Sequence, residues 1–287
     1  MGELQKKKLL LVFVSICMLL LVGYEARPSN YVEMNGMISV AHRGASNFAP
    51  ENTQSAFRKA LELGADFLEC DVHLSKDGEL IIMHDDKVDR TTNGSGYVKN
   101  FTLSELKELD AGGKFHSSFT GEKIITLNEL LDEFHGKTGL LIEIKKPSMY
   151  PGIEEQVVAL LSEYKDLDSI IVQSFDIESM RKMNTLLPEL EVALLMKPSI
   201  QSLSPQKIID LTSFATYINF NVSYVNKRVI NQIHNQGGKV LVWSTKNQGW
   251  VDKAYQYDVD GIITDFSIWP GEGPIQLVKS NLHLLIN

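Results

Sequence analysis

The stretch FLECDVHLSKDGELIIMHD (residues 67–85) holds two apolar runs separated by Lys76-Asp77-Gly78. Asp-Gly is a tight-turn signal, and it leaves no room for the crossover helix that would make the two runs parallel neighbours. Outward from it the pattern changes. Short β-branched runs (ISVAHR from Ile38, GLLIEIK from Gly139, IIVQSF from Ile170, VALLM from Val192, YINFN from Tyr217, KVLVWS from Lys239, GIITDF from Gly261) are separated by amphipathic segments such as TLNELLDEF and NKRVINQIHNQGG. Buried strands alternating with helices predict a parallel sheet covered by helices, and their number predicts a closed (β/α)8 TIM-type barrel. Nine candidate strands are one too many for that barrel. One member of the 67–85 pair is therefore expected to depart from regular barrel geometry.

A second irregularity is residues 87–123, too long for an ordinary strand-helix loop. It carries TLSELKEL, a short helix with a capping-box pattern at Thr102 or Ser104. A small insertion near the active face is expected there. Its aromatic residues Tyr97, Phe101, Phe115 and Phe119 allow two readings, a satellite core or a lip for substrate.

The bulk numbers narrow the function classes. A chain of 287 residues, 44% hydrophobic, can bury one large core, and its net charge of -8 makes it a poor partner for nucleic acid. An anionic substrate would need a local cation. The start of the chain reads as a leader: QKKK precedes the fourteen-residue run Leu9–Val22, short for a membrane span and suited to a signal-peptide core. Residues 1–26 are thus read as a signal peptide or an uncleaved N-terminal anchor, with the barrel domain at 36–287. Export follows as an expectation: secreted, wall-associated or membrane-anchored, with contact to a membrane only through this segment. The two cysteines are Cys17 in the leader and Cys70 in the body, so a cleaved product has no intramolecular disulfide.

In such barrels the chemistry sits at the C-terminal ends of strands. Those ends carry His42 and Arg43, Glu69 and Asp71, His84 and Asp85, Glu143 and Lys145, Ser174, Trp243 and Asp265. Glu69 and Asp71, two apart on a strand, share a face, with Cys70 between them on the other. Glu143 and Lys145 repeat the spacing. Three converging carboxylates repel one another unless a cation sits among them, and a hard divalent ion, Ca2+ or Mg2+, would resolve the conflict. The other reading makes Glu143 and Lys145 a barrel salt bridge. Two histidines beside charged partners suit acid-base work near neutral pH, while Arg43 offers a forked donor for phosphate oxygens and Lys145 a point charge. Trp243 stacks on substrate or closes the barrel top. Asp265 is read as orienting Lys145 or a histidine, and His73 as supporting the carboxylate face.

AHRG, PENT, ECDVHLSKDG, MHDD, LIEIK, VWS and GIITD, in this order, resemble the glycerophosphodiester phosphodiesterase family. The resemblance implies a barrel of the phospholipase C-like phosphodiesterase type with a small insertion after the His-Asp strand. It also implies a divalent cation, most often Ca2+, and hydrolysis of glycerophosphodiesters to glycerol 3-phosphate and an alcohol. His42 then matches the proton acceptor and His84 the proton donor. Glu69, Asp71 and Glu143 match the metal carboxylates, Arg43 and Lys145 the phosphate-binding cations, and Glu51 a polar support. The substrate would be a small glycerophosphodiester or a glycerol-phosphate polymer. A phospholipase C- or D-like enzyme of the same barrel type, and an exported binding protein without turnover, are the alternatives.

Overall fold

The computed structural model describes residues 37–197, 203–244 and 248–265, with two further short strands at Ile268–Trp269 and Gln276–Leu277 that pair antiparallel. The leader predicted at residues 1–26 lies outside the described residues. Eight strands run parallel around a closed barrel: β1 (Ile38–Ala41), β2 (Phe67–Leu74), β4 (Gly139–Ile144), β5 (Ile170–Ser174), β6 (Glu191–Met196), β7 (Tyr217–Asn221), β8 (Leu241–Trp243) and β9 (Gly261–Thr264). Closure is made by β1, which pairs with β9 on one side and β2 on the other.

The ninth strand, β3 (Leu80–Ile82), is the predicted departure: it runs antiparallel to β2, with Val72 opposite Ile82 and Leu74 opposite Leu80. Its place follows from the lengths of the neighbours. β1 ends at Ala41 and covers only Phe67 and Leu68 of β2, whereas β4 accompanies β2 as far as Val72. The rest of that β2 edge would carry open backbone groups, which cost free energy when buried. β3 folds back through the Lys76–Gly78 turn and occupies that edge.

Strand period two builds the interior. Val40, Leu141, Ile171, Ala193, Leu241 and Ile263 form a buried apolar floor. Two residues further along the chain stand His42, Glu143, Gln173, Leu195, Trp243 and Asp265, so the same faces that close the floor deliver polar groups to the rim above it. Outside, α1 (Gln54–Glu62), α3 (Leu127–Phe134), α4 (Ile153–Leu161), α5 (Ile177–Leu186), α6 (Pro205–Thr212), α7 (Lys227–His234) and α8 (Gln248–Gln256) lie between successive strands. Each fully buried Leu, Ile, Val or Phe on their inner faces contributes roughly 1.5–3 kcal/mol. Most start at a side-chain cap, among them Thr53, Thr126, Asp176, Ser204 and Asn226, each worth about 1 kcal/mol.

The insertion holds α2 (Leu103–Glu108), capped by Thr102 in a reciprocal box with Glu105. Val88, Val98, Leu106, Ala111 and Ile124 join Ile81 and Met83 in a separate apolar cluster, against which Phe101 packs. The insertion aromatics therefore divide. Phe101 serves the satellite core, while Tyr97 and Phe115 remain 37% and 38% exposed. Among the described residues no helix is long and apolar enough to cross a membrane.

Candidate active site

The rim opens into a cleft of about 200 Å³. His42, Arg43, Glu69, His84, Glu143, Lys145 and Trp243, all predicted from sequence, line it. Asp71 lies fully buried beside them, and Glu51 and Asp265 hold lining residues from behind.

β1 hands over to the site through a sharp turn. Arg43 takes a left-handed backbone, φ 57°, which is uncommon outside glycine and persists where the surroundings hold it. Its N–H donates to Glu69 Oε2 at 2.8 Å, and its guanidinium turns back to donate to Glu51 Oε1 at 2.9 Å, with Nε 3.6 Å from Asp71 Oδ2. Gly44 follows at φ 77°, where a Cβ would meet the Ala56 carbonyl carbon at 2.7 Å, so only glycine lets the turn lie on α1. The helix itself begins at Gln54, three residues after Glu51, which sits in the preceding turn rather than in the first helical turn.

β2 contributes the carboxylates as its alternation predicts. Glu69, Asp71 and Glu143 bring oxygen atoms within 4.8 Å of one another, all three side chains buried. Lys145 stands 2.7 Å from Glu143 Oε1 and 3.2 Å from Asp71 Oδ1. The salt bridge and the acidic cluster, alternatives in the sequence, are both present. The balance of charge differs along the cluster. Burial raises Asp71, but Lys145, His84 and Arg43 outweigh it and hold this carboxyl below its ordinary range. Burial, with Asp71 beside it, pushes Glu69 well up. Burial also raises Glu143, against the opposing pull of Lys145. Glu69 Oε1 is left buried with no hydrogen-bond partner among the described residues. An all-oxygen donor set with one open buried oxygen fits a hard cation.

The histidines are held in matching ways. His42 Nδ1 is paired with Asp265, so Asp265 orients this histidine and not Lys145. His84 Nδ1 is 2.7 Å from Asp85 Oδ1, and His73 Nε2 lies 3.2 Å from the His84 carbonyl. His84 reaches the site by the return of β3: Met83 N–H bonds the Asp71 carbonyl at 2.9 Å, which carries the next residue back down to the rim. Burial lowers His42, yet the Glu69 charge and the Asp265 hydrogen bond outweigh it and set its pKa above the ordinary value. His84 is held below it, by burial first, with Lys145 and Arg43 adding to the effect.

Two site residues escape the sequence reading. Asn52, at φ 58°, donates from Nδ2 to Asp71 Oδ2 at 2.8 Å. Arg90, from the insertion, clamps Glu51 with Nη1 and Nη2 at 2.7 and 2.8 Å and Asp85 with Nε at 2.7 Å. It ties the partner of Arg43 to the partner of His84. The available signals were Asn52 directly before the Thr53 cap and an arginine soon after the acidic pair Asp85-Asp86, neither of which names its partner.

Comparison with known proteins identifies the family and the fold. The model of the glycerophosphoryl diester phosphodiesterase family matches residues 42–268. A glycerophosphodiester phosphodiesterase of Caldanaerobacter subterraneus is 40% identical over 79% of this chain and 93% of its own length. The crystal structure of a glycerophosphodiester phosphodiesterase from Agrobacterium tumefaciens superposes with a TM-score of 0.70 at 31% identity, covering 82% of this chain and 97% of that one. An Oleispira antarctica phosphodiesterase, solved in complex with the product sn-glycerol-3-phosphate, gives a TM-score of 0.72 at 29% identity, over 80% of this chain and 93% of that one. The closed barrel and these matches agree, and this chain belongs to the glycerophosphoryl diester phosphodiesterase family as an enzyme of that activity.

Proposed function

We propose that the enzyme hydrolyses glycerophosphodiesters to glycerol 3-phosphate and an alcohol with a divalent cation held by Glu69, Asp71 and Glu143 and with His42 and His84 as its proton-transfer pair. The observation that carries this reading is the buried acidic cluster, Glu69 Oε1 open within it, set between two histidines and two phosphate-binding cations in one cleft. The product bound by the Oleispira relative supports glycerol 3-phosphate as the half released here. Ca2+ is favoured over Mg2+ because its oxygen shell tolerates irregular geometry, which suits carboxylates that Lys145 already shares. When bound, the cation supplies Lewis-acid stabilisation of the charge that gathers on the phosphoryl oxygens.

The chain's own groups do the rest. Arg43 and Lys145 bind the phosphoryl oxygens, and Asn52 and Glu51 keep Asp71 and Arg43 in place for this. His42 takes the proton of the nucleophile, the neighbouring glycerol hydroxyl or water. His84, turned by Asp85, gives a proton to the leaving oxygen. Without the cation His42 is raised and His84 lowered, the reverse of what an acceptor and a donor need. The lift on His42 comes in large part from Glu69, a charge that a divalent ion offsets. Trp243, edge-to-face with Phe175 at 5.6 Å, forms an apolar wall against which the glycerol or alcohol portion stacks.

Incubation with glycerophosphocholine tests the reading directly. Free glycerol 3-phosphate and choline are expected in Ca2+ and not in chelator. Release of phosphocholine instead would make the enzyme phospholipase C-like, and equal turnover in chelator would reject the metal. Export remains part of the proposal on the strength of the Lys6–Lys8 cluster and the Leu9–Val22 run. Cell fractionation should then find the enzyme in medium, wall or membrane, and recovery solely as full-length soluble cytoplasmic protein would overturn it.

A further inference from the structure

We propose that Gln173 is a specificity-determining residue that donates a hydrogen bond to the terminal hydroxyl of the substrate's glycerol half, with Asn219 fixing which end of its amide faces the cleft. The inference rests on the glycerophosphodiester reading and goes beyond it by naming the group that distinguishes glycerol from other diols.

A backbone N–H can only donate, and this fixes the direction of the chain of hydrogen bonds that follows. The Leu241 N–H donates to Asn219 Oδ1 at 3.0 Å. Asn219 must then present its Nδ2 on the other side, and it donates to Gln173 Oε1 at 3.1 Å. With its oxygen turned to Asn219, Gln173 presents Nε2 at the other end of its amide, a group that can donate but not accept. Gln173 and Asn219 are 1% and 0% exposed, and Gln173 lines the cleft. Among the described residues no acceptor is bonded to Gln173 Nε2. A buried amide pair spanning β5 and β7 costs desolvation, and a core of this kind would be served as well by two apolar side chains. Its product here is one oriented donor at the rim.

The position selects the ligand atom. Gln173 is the strand partner of Glu143, at the border between the charged half of the cleft and the half lined by Phe175, Leu195 and Trp243. The phosphoryl oxygens have Arg43 and Lys145. The terminal hydroxyl, the glycerol oxygen farthest from phosphorus, extends into the uncharged half, where a neutral donor meets its lone pair without attracting a second anion.

Choline release in Ca2+ is compared for glycerophosphocholine and for the phosphocholine ester of propane-1,2-diol, which lacks the terminal hydroxyl and keeps the hydroxyl next to the phosphate. The wild-type enzyme is expected to favour glycerophosphocholine about tenfold or more in kcat/KM, the worth of one such hydrogen bond in a dry site. Gln173→Met, which keeps the volume and removes the donor, should bring the ratio near one by slowing glycerophosphocholine while leaving the analogue within about twofold of wild type. Asn219→Leu should act in the same direction. Equal slowing of both substrates by Gln173→Met would place the contact on the phosphoryl group and overturn the assignment. So would a wild-type ratio near one, whether or not the variants fold. Failure of wild type to release choline from either compound would instead strike the glycerophosphodiester reading.

Discussion

Ca2+ is expected to raise the melting temperature of the wild-type enzyme, and Glu69→Gln and Asp71→Asn are each expected to abolish that rise and to lower turnover about a hundredfold or more. Losing several kcal/mol of charge stabilisation corresponds to two or more factors of ten in rate. The same cluster sets a pH dependence with a definite sign. In chelator, the folded-state pKa values of Glu69 and Glu143 lie above those of the unfolded chain, by burial first, with Asp71 adding to the rise. The native state then binds more protons than the unfolded one as pH climbs from the ordinary glutamate range, about 4.3, toward neutral. This part of the stability is complete below that range and is lost as pH rises through the raised values. Asp71 acts in the opposite direction only at lower pH, since its folded value is depressed.

Melting curves in chelator should therefore fall between mildly acid and neutral pH, while Ca2+ should reverse the slope, because its ligands bind best when deprotonated. Glu69→Gln should flatten the chelator curve, since it removes one of the two raised groups. Wild-type activity of either variant in chelator, or identical pH slopes with and without Ca2+, would rule out a metal at this cluster.

The second large effect concerns the histidines. His42→Ala and His84→Ala should each lower turnover by about 100-fold or more with little change in melting temperature. The double variant should lose much less than the product of the two, since groups acting as a unit are not additive. A substrate with a nitrophenolate leaving group separates the roles: it needs little protonation, so it should partly rescue His84→Ala and leave His42→Ala impaired. Equal rescue of both would overturn the assignment. Unfolding of either variant without a separate catalytic defect would return that histidine to a packing role, as a hydrogen-bonded partner of Asp265 or Asp85.

Part of this site is written locally. Glu69 and Asp71 face the same way because strand side chains alternate, whatever surrounds them. The Asp77-Gly78 turn forces β2 and β3 antiparallel, and Thr102 with Glu105 starts α2 from within its own four residues. The apolar runs and their helical spacers, read one after another, lead to the barrel. Each of these signals lies inside a few consecutive residues, so a linear reading finds them. The boundaries shift by small amounts: β1 ends one residue before His42 and β3 two residues before His84, because the chain leaves the sheet to form the rim turns.

What the linear order could not carry is who meets whom across the closed barrel. His42 and Asp265 are 223 positions apart and touch because β9 returns to β1. Arg90 belongs to the insertion expected near the active face, but its sequence does not name its partners Glu51 and Asp85, which face each other only after β3 has folded back along β2. Asp265 is assigned to His42, not Lys145, by that closure, and the amide of Gln173 is turned by Asn219 two strands away. By itself the sequence determined the strand faces, the turn and the identity of the chemical groups, because period-two alternation and turn chemistry act over a few residues. Only the tertiary structure decided their pairing, because barrel register and closure set distances between residues that no local pattern relates.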